Sequence, residues 1–453
     1  MTATVAEAPV RTDTVTLGRV FRFEMVKLLA QWRIRLVLLA CLLAPAIYSG
    51  VVSRQTSLPA DAVYGRLMNQ SGWAGSLTIL VSLGTLLLPL LTSVVAGDVF
   101  AIEDRLGTWR HVLVAVRSPR RVFAAKALAA LTVTLTLLTC LMVSATAGGL
   151  VSVGSHPLPG LDGHLLGPDD LARTVLLAWL TLVPPTLAFS AVGLLGSVAL
   201  GRSPLGLLVP VALALVLMGV QVMPVPVALR VALPMNAFIS YRGLFTDPAQ
   251  LDSLWIGLLV CGSWSALATL LAYRLFVRRD FTDLANDGSA RRFVTGGLAP
   301  LAGLVVVTTV VVAVTTGATG SGIDRPKLEA AVSRSFANLY VVQTDRLHRP
   351  AVTVADLEAT ARCDKGGDLV EDEGAGSGWR CTVHWTLPGS TAVGTAIYQL
   401  DVLPEGRFVA DGDGPKEVNG FFQVRGPAGD APNPLWQFDG VVDLLDPPMK
   451  GQQ

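Results

Sequence analysis

Long apolar stretches dominate this chain and restrict what it can fold into. Segments at 34–53, 74–99, 122–148, 171–200, 205–223, 253–277 and 293–316 each approach or exceed the ~20 apolar residues that cross a hydrocarbon core as a helix. No water reaches backbone N–H and C=O groups inside a bilayer, so segments of this kind must be helical and satisfy themselves. Composition agrees. Of the 453 residues 51% are hydrophobic and only 15% charged, where a soluble protein carries about 25% charged residues. A net charge of +1 offers no basic surface for nucleic acid. The polar stretch Met1 to Thr16 lacks a signal-peptide core and cleavage site, so the first apolar segment is expected to remain as a span.

Sidedness follows from the basic residues. On residues 17–33, Leu17, Phe21, Met25, Leu28, Leu29 and Trp32 share one helical face and Arg19, Arg22 and Arg33 another, as in a helix lying in the membrane interface. Segment 224–250 is fairly apolar but broken by Pro224, Pro226, Pro234, Arg230 and Arg242. If it crossed, the arginines at 274–292 would face outward, against the positive-inside bias. It is therefore expected to form a re-entrant or surface helical hairpin on the outer side. Eighteen Lys and Arg then fall at cytoplasmic positions around the spans, including Arg202, against five in the outer loops between spans, which puts the N-terminus inside and everything beyond 316 outside. The expected fold is a polytopic α-helical membrane protein with a small C-terminal α+β extracytoplasmic domain. Its parts are a tail and interfacial helix (1–33), six spans (34–280), a cytoplasmic linker (281–292), a seventh transmembrane helix (293–316) and the outer domain (317–453).

In that domain Asp324 can cap a helix from Pro326 to about Val342 with Leu328, Val332 and Phe336 along one side. Runs at Trp379–Leu387, Ala392–Leu403 and Trp436–Leu444 read as strands. Cys41, Cys140 and Cys261 fall singly in spans as small apolar residues. Cys363 and Cys381 suit a disulfide in an oxidising compartment; a zinc site built from both plus His384 lacks a fourth ligand. The cysteine pair after a short helix, followed by strands, resembles a small two-cysteine domain of exported actinobacterial proteins that has no established activity.

Motifs for chemistry are scarce. No GxxxxGK[ST] is present, nor HExxH or GxSxG, and almost no ionisable group falls in mid-span, which argues against a proton relay or an intramembrane hydrolase. The chain is expected to be no enzyme, to hold no metal and to bind no cofactor itself. Thr78, Ser82, Thr85, Pro89 and Thr92 share one helical face of the second span. They would serve a translocation path or a dimer contact, or else the hydroxyls satisfy their own helix.

One charged loop stands out between the second and third spans: Gly97-Asp98-Val99-Phe100-Ala101-Ile102-Glu103-Asp104-Arg105-Leu106-Gly107-Thr108-Trp109-Arg110, then Ser118-Pro119-Arg120-Arg121 and Lys126. Gly107 permits a sharp turn. Trp109, Val112, Leu113 and Val116 form a short apolar face, too short a helix to stand without a surface to dock on. Ser118-Pro119 and Ser203-Pro204 are helix starts, serine capping and proline in the first turn.

This order, with the interfacial helix, the six spans, the broken outer segment and a closing Arg278-Arg279-Asp280, resembles the type-2 ATP-binding-cassette exporter permeases over residues 17–280. The seventh span and its outer domain depart from the family's core. The resemblance implies a permease subunit of the bacterial plasma membrane, working as a homo- or heterodimer with two copies of a separate ATPase subunit that bind ATP and Mg. It implies that Glu103, Arg105, Gly107, Thr108, Pro119 and Arg120, with the apolar face of Trp109, Leu113 and Val116, couple the chain to that ATPase. The alternative is a membrane-anchored sensor or scaffold whose outer domain binds a ligand or partner.

Overall fold

The structure is a computed structural model, and it describes residues 15–55, 57–59, 62–201, 204–281, 288–367, 370–426 and 429–445. The chain is a membrane-embedded helical protein with a small sheet domain at its C-terminal end. Helices α1 (Leu17–Ala30) and α2 (Trp32–Val52) come first, then α3 (Gly72–Gly84), α4 (Leu87–Val95), α5 (Ala101–Leu106), α6 (Trp109–Val116) and α7 (Pro119–Val153). A hairpin of β1 (Leu158–Pro159) and β2 (Leu165–Leu166) precedes α8 (Pro168–Leu180) and α9 (Val183–Leu200). The series continues with α10 (Leu205–Val222), α11 (Val227–Val231), α12 (Asp252–Val277), α13 (Ala290–Phe293) and, after a π-helical turn, α14 (Ala299–Thr316). Five helices are long and apolar enough to cross a membrane: α2, α7, the nearly continuous α8–α9, α12 and the helix spanning 290–316. The α3–α4 pair passes the same test as one broken unit, and α10 is a shorter apolar helix.

The second expected span is not straight. Its two halves meet at 61°. Pro89 supplies the cause: it lacks an N–H, and its ring would strike the carbonyl of Thr85 in a continuous helix, so the chain breaks and restarts at Leu87. That bend also divides the expected hydroxyl face. Thr78 donates to Ala74 O at 2.8 Å, Ser82 to Thr78 O at 2.8 Å and Thr92 to Pro89 O at 2.8 Å, while Thr78 and Thr92 are fully buried. Three of these hydroxyls are thus spent on their own helices, and Thr78, Ser82, Thr85, Pro89 and Thr92 make no continuous polar path. Helix-to-helix bonds come instead from Ser76, which pairs with Thr146 at 2.9 Å and accepts from Trp179 Nε1 at 3.0 Å. Close approach relies on missing side chains. A Cβ on Gly149 would sit 2.1 Å from the Gly72 carbonyl oxygen, so α3 and α7 can cross only with glycine there.

Contacts define two ends of the bundle. One gathers α1, α5, α6, the start of α7 and the ends of α9 and α12. The other gathers the 53–71 loop, the β1–β2 hairpin, segment 224–250 and the C-terminal domain. Segment 224–250 leaves and returns at this second end. The Gln221 amide donates to Arg230 O at 3.0 Å, and Leu161 N donates to Phe245 O at 2.7 Å. It is a seat of short helical turns. Its arginines, read from sequence only as barriers to crossing, hold the C-terminal domain: Arg230 donates to Pro404 O and to Ser321 O (3.0 Å), and Arg242 pairs with Glu405 at 3.2 Å.

The domain is built as its sequence pattern suggests. Helix α15 (Arg325–Arg346) is capped by Asp324, which accepts from Lys327 N at 2.9 Å, and it runs one turn beyond the expected end. Its Leu328, Val332 and Phe336 are buried against an antiparallel sheet ordered β3 (Thr360–Lys365), β4 (Gly376–Thr386), β5 (Val393–Val402), β6 (Arg407–Gly412) and β9 (Gln437–Val441). A short helix α16 (Lys416–Asn419) and the hairpin of β7 (Gln423–Gly426) and β8 (Gly429–Pro432) lie between β6 and β9. Cys363 and Cys381 face each other across β3 and β4 and are disulfide-bonded, so neither is free for zinc.

Candidate functional site: a buried charge cluster under the α5–α6 loop

Local chemistry shapes the loop. The Ser197 hydroxyl, on α9, accepts from both Phe100 N and Ala101 N at 3.0 Å and so satisfies free amides at the start of α5. Gly107 ends α5 in the left-handed conformation (φ 64°), its N–H returning to the α5 carbonyls, as the sequence indicated. Ser118 caps α7 with Pro119 in the first turn. Ser203 and Arg202 lie outside the described residues, as does most of the 1–16 tail, and α10 starts directly after Pro204.

Between these elements sits a cluster of ions. Lys126, at the base of α7, is fully buried; its Nζ lies 2.9 Å from Glu24 Oε2 and 2.8 Å from Glu103 Oε1, and it also donates to Val99 O at 3.2 Å. Lys27 and the Thr108 hydroxyl complete the shell of Glu103. Burial opposes ionisation of Glu103, but the Lys126 ammonium and the hydrogen bonds from Lys126, Lys27 and Thr108 prevail and lower its pKa to about 2. Asp98 pairs with Arg33 and Arg105. Asp104 receives Trp109 Nε1 at 2.8 Å and a fork from Arg279 at 2.5 and 3.0 Å. Buried charges persist when they are paired, and each carboxylate here meets at least one cation, although Glu24 Oε1 and Arg279 Nε make no hydrogen bond.

Trp109 closes the cluster. Its ring lies 5.2 Å from Phe276 and 5.5 Å from Phe281, within a set of aromatic rings that includes Phe100 and Phe123, and Lys126 Nζ stands 5.7 Å from its centroid. This corrects the expected role of the apolar face. Trp109 and Val116 are buried within the chain and Leu113 packs half-buried on the same core, so they are not presented to a partner. Helical periodicity identifies a face that must be covered; it does not say by what, and the far-off α12 supplies the cover. The unpartnered side of the loop is the opposite one: Leu106 and Val114 are exposed at 64% and 67%, beside exposed Arg110, His111, Arg117 and Arg120.

Glu103, Thr108 and Trp109 therefore come together at one joint, Gly107 and Pro119 shape the chain on either side of α6, and Arg105 borders the joint through Asp98. Arg120 points away. Sequence reading missed Glu24, Lys27, Arg33, Ser197 and the partner role of Arg279. Glu24 carried the available signal, an acidic residue at the centre of a helix otherwise basic on its polar face. The buried stripe of α1 is Val20, Glu24 and Leu28, while its Phe23, Val26 and Leu29, and Trp32 at the start of α2, remain exposed. The cluster and the long apolar helices define a membrane-embedded protein with one rigid, charge-locked joint. No protein-family model matches the chain, and no curated protein matches it.

Proposed function

We propose that the chain is the membrane-spanning permease subunit of an ATP-driven exporter, and that the α5–α6 loop transmits movement of a separate ATPase chain into the bundle. The observation that carries this reading is the charge-locked joint. One loop is tied to α1 through Lys27, to α2 through Arg33, to α7 through Lys126 (which also holds Glu24 of α1), to α9 through Ser197 and to the end of α12 through Arg279. A push on α6 would reach all five helices at once. The loop's resemblance to the type-2 exporter permeases supports the same role, with ATP and Mg held by the partner and a second permease subunit completing the path. The docking face in this reading is Leu106, Arg110, Val114 and Arg117, not the buried Trp109 side.

Seven crossings fit the contacts, counting α3–α4 as one bent crossing and α10 as a short one, because consecutive segments alternate between the two ends. With the arginine-rich end in the cytoplasm, the disulfide-bonded domain lies outside. The test is isolation of the tagged chain from its native membrane in mild detergent. An ATPase chain bearing a P-loop should co-purify, and Val114→Glu with Leu106→Asp should release it while the permease stays folded. A chain that purifies alone, with no ATPase restored by reconstitution, would favour the sensor reading, for which the observation is the outer domain's firm seating on the bundle through Arg230 and Arg242.

A further inference from the structure

A cavity of about 270 Å3 opens in the seam between the C-terminal domain and the loops beneath it. Residues 64–70 and 159–161 form the floor; α15 and residues 432–439 form the roof. Leu67, Leu161, Leu339, Phe422, Trp436 and Phe438 give it apolar walls. Its size falls just under the ~300–1,000 Å3 of ordinary small-molecule sites, and its mixture of aromatic walls with a few polar groups is typical of them.

Some of its polar groups are unsatisfied, and those are donors. Tyr64 is 4% exposed, and its hydroxyl has no hydrogen-bond partner; nor has the buried Arg66 Nη1. Buried polar groups left unpaired are rare, and each calls for a reason. Tyr64 is held moreover in the left-handed region (φ 62°), costly for an aromatic residue, with its ring 5.5 Å from Phe245. Burial raises the pKa of its hydroxyl well above the usual phenol range, so it stays a neutral donor. Arg346, half-buried at the end of α15, makes no side-chain hydrogen bond or ion pair among the described residues; burial lowers its pKa with no carboxylate to offset it. The one carboxylate lining the cavity, Asp439, is already shared by Arg66 (2.6 Å) and Arg407 (2.7 Å). The site carries excess positive charge and spare donors beside an apolar wall.

We propose that this seam pocket binds a small amphipathic anion, its acidic head held by Arg346, Arg66 and Tyr64 and its apolar body lodged against Leu339, Trp436 and Phe438. The head is a carboxylate on a soluble organic acid or the phosphate of an anionic lipid; both present acceptor oxygens to the same donors. Because floor and roof belong to different parts of the chain, the anion would also fasten the outer domain to the bundle. The proposal rests on the seam alone and holds whether or not an ATPase chain docks at the other end.

The test uses the full chain purified in neutral detergent and titrated calorimetrically with 4-phenylbutyrate, beside nanodiscs of phosphatidylcholine with and without phosphatidylglycerol read by thermal melting. One of the two anions should bind saturably: the acid if the natural ligand is soluble, phosphatidylglycerol alone if it is a lipid head. The uncharged 4-phenylbutanol should bind at least about tenfold more weakly than the acid. Arg346→Gln should weaken the anion at least about tenfold without lowering the ligand-free melting midpoint, since the charge removed has no partner. Leu339→Trp, which fills the cavity, should abolish binding and serves as the second variant. Failure of both anions to bind, or equal binding by the parent and both variants, would overturn the proposal. A phenylbutanol affinity equal to that of phenylbutyrate would do the same.

Discussion

Lys126 is the residue on which the joint turns. It bridges two buried carboxylates, Glu24 and Glu103, and removing it leaves Glu24 without its cation and Glu103 with Lys27 alone. Losing one partner of a buried pair costs about 3–5 kcal/mol, so Lys126→Ala should lower the melting midpoint of the detergent-solubilised chain more than any single change on the exposed side of α6. Glu103 gives a second handle. Its pKa is lowered on folding, so its contribution is fully present above the usual carboxylate range and is lost as pH falls toward about 2. A depression of that size is worth roughly 3 kcal/mol. Stability measured between pH 5 and 2 should therefore fall in the parent and fall less steeply in Glu103→Gln, which starts lower at neutral pH. Equal slopes would mean that folding leaves the Glu103 pKa where it is in the unfolded chain.

At the scale of elements, α6 behaves as a pinned lever. Trp109→Ala empties a site among Phe276, Phe281 and Phe100, a change that typically costs about 3–5 kcal/mol. Val114→Glu on the opposite side should leave the melting midpoint within about 0.5 kcal/mol of the parent. The reverse ranking would show that Trp109 faces outward. Local signals were legible in this region: the Gly107 turn, the Ser118–Pro119 start and the Asp324 cap are each set by residues within one helical turn. Two things were not. The covering of Trp109 depends on α12, far along the chain, and the breaking of the second span depends on how neighbours accept the bend that Pro89 forces. In the C-terminal domain the apolar runs revealed β4, β5 and β9, while β3 and β6 are recognised through their pairing with neighbouring strands. Glu24 looked like a stray acid on a basic helix until Lys126 was placed beside it.

For the whole molecule, the chain reads as a bundle with work at both ends. A joint of paired charges ties five helices together at one end, and a disulfide-bonded domain is seated by Arg230, Arg242 and Arg66 at the other. If the domain lies outside, impermeant thiol reagents on intact cells should label Cys363 only after reduction or when Cys381 is replaced; labelling only after membrane rupture would reverse the orientation. Removing the disulfide should destabilise the domain by about 2–4 kcal/mol. The central claim is that the exposed side of α6 meets an ATPase chain, and site-specific crosslinking addresses it most directly. A photoreactive residue at position 114 should capture a chain that peptide mass spectrometry identifies by its P-loop, in a manner that changes with ATP, while the same residue at position 116 should crosslink within the permease. Capture from position 116, or no P-loop chain from position 114 in native membranes, would contradict the account.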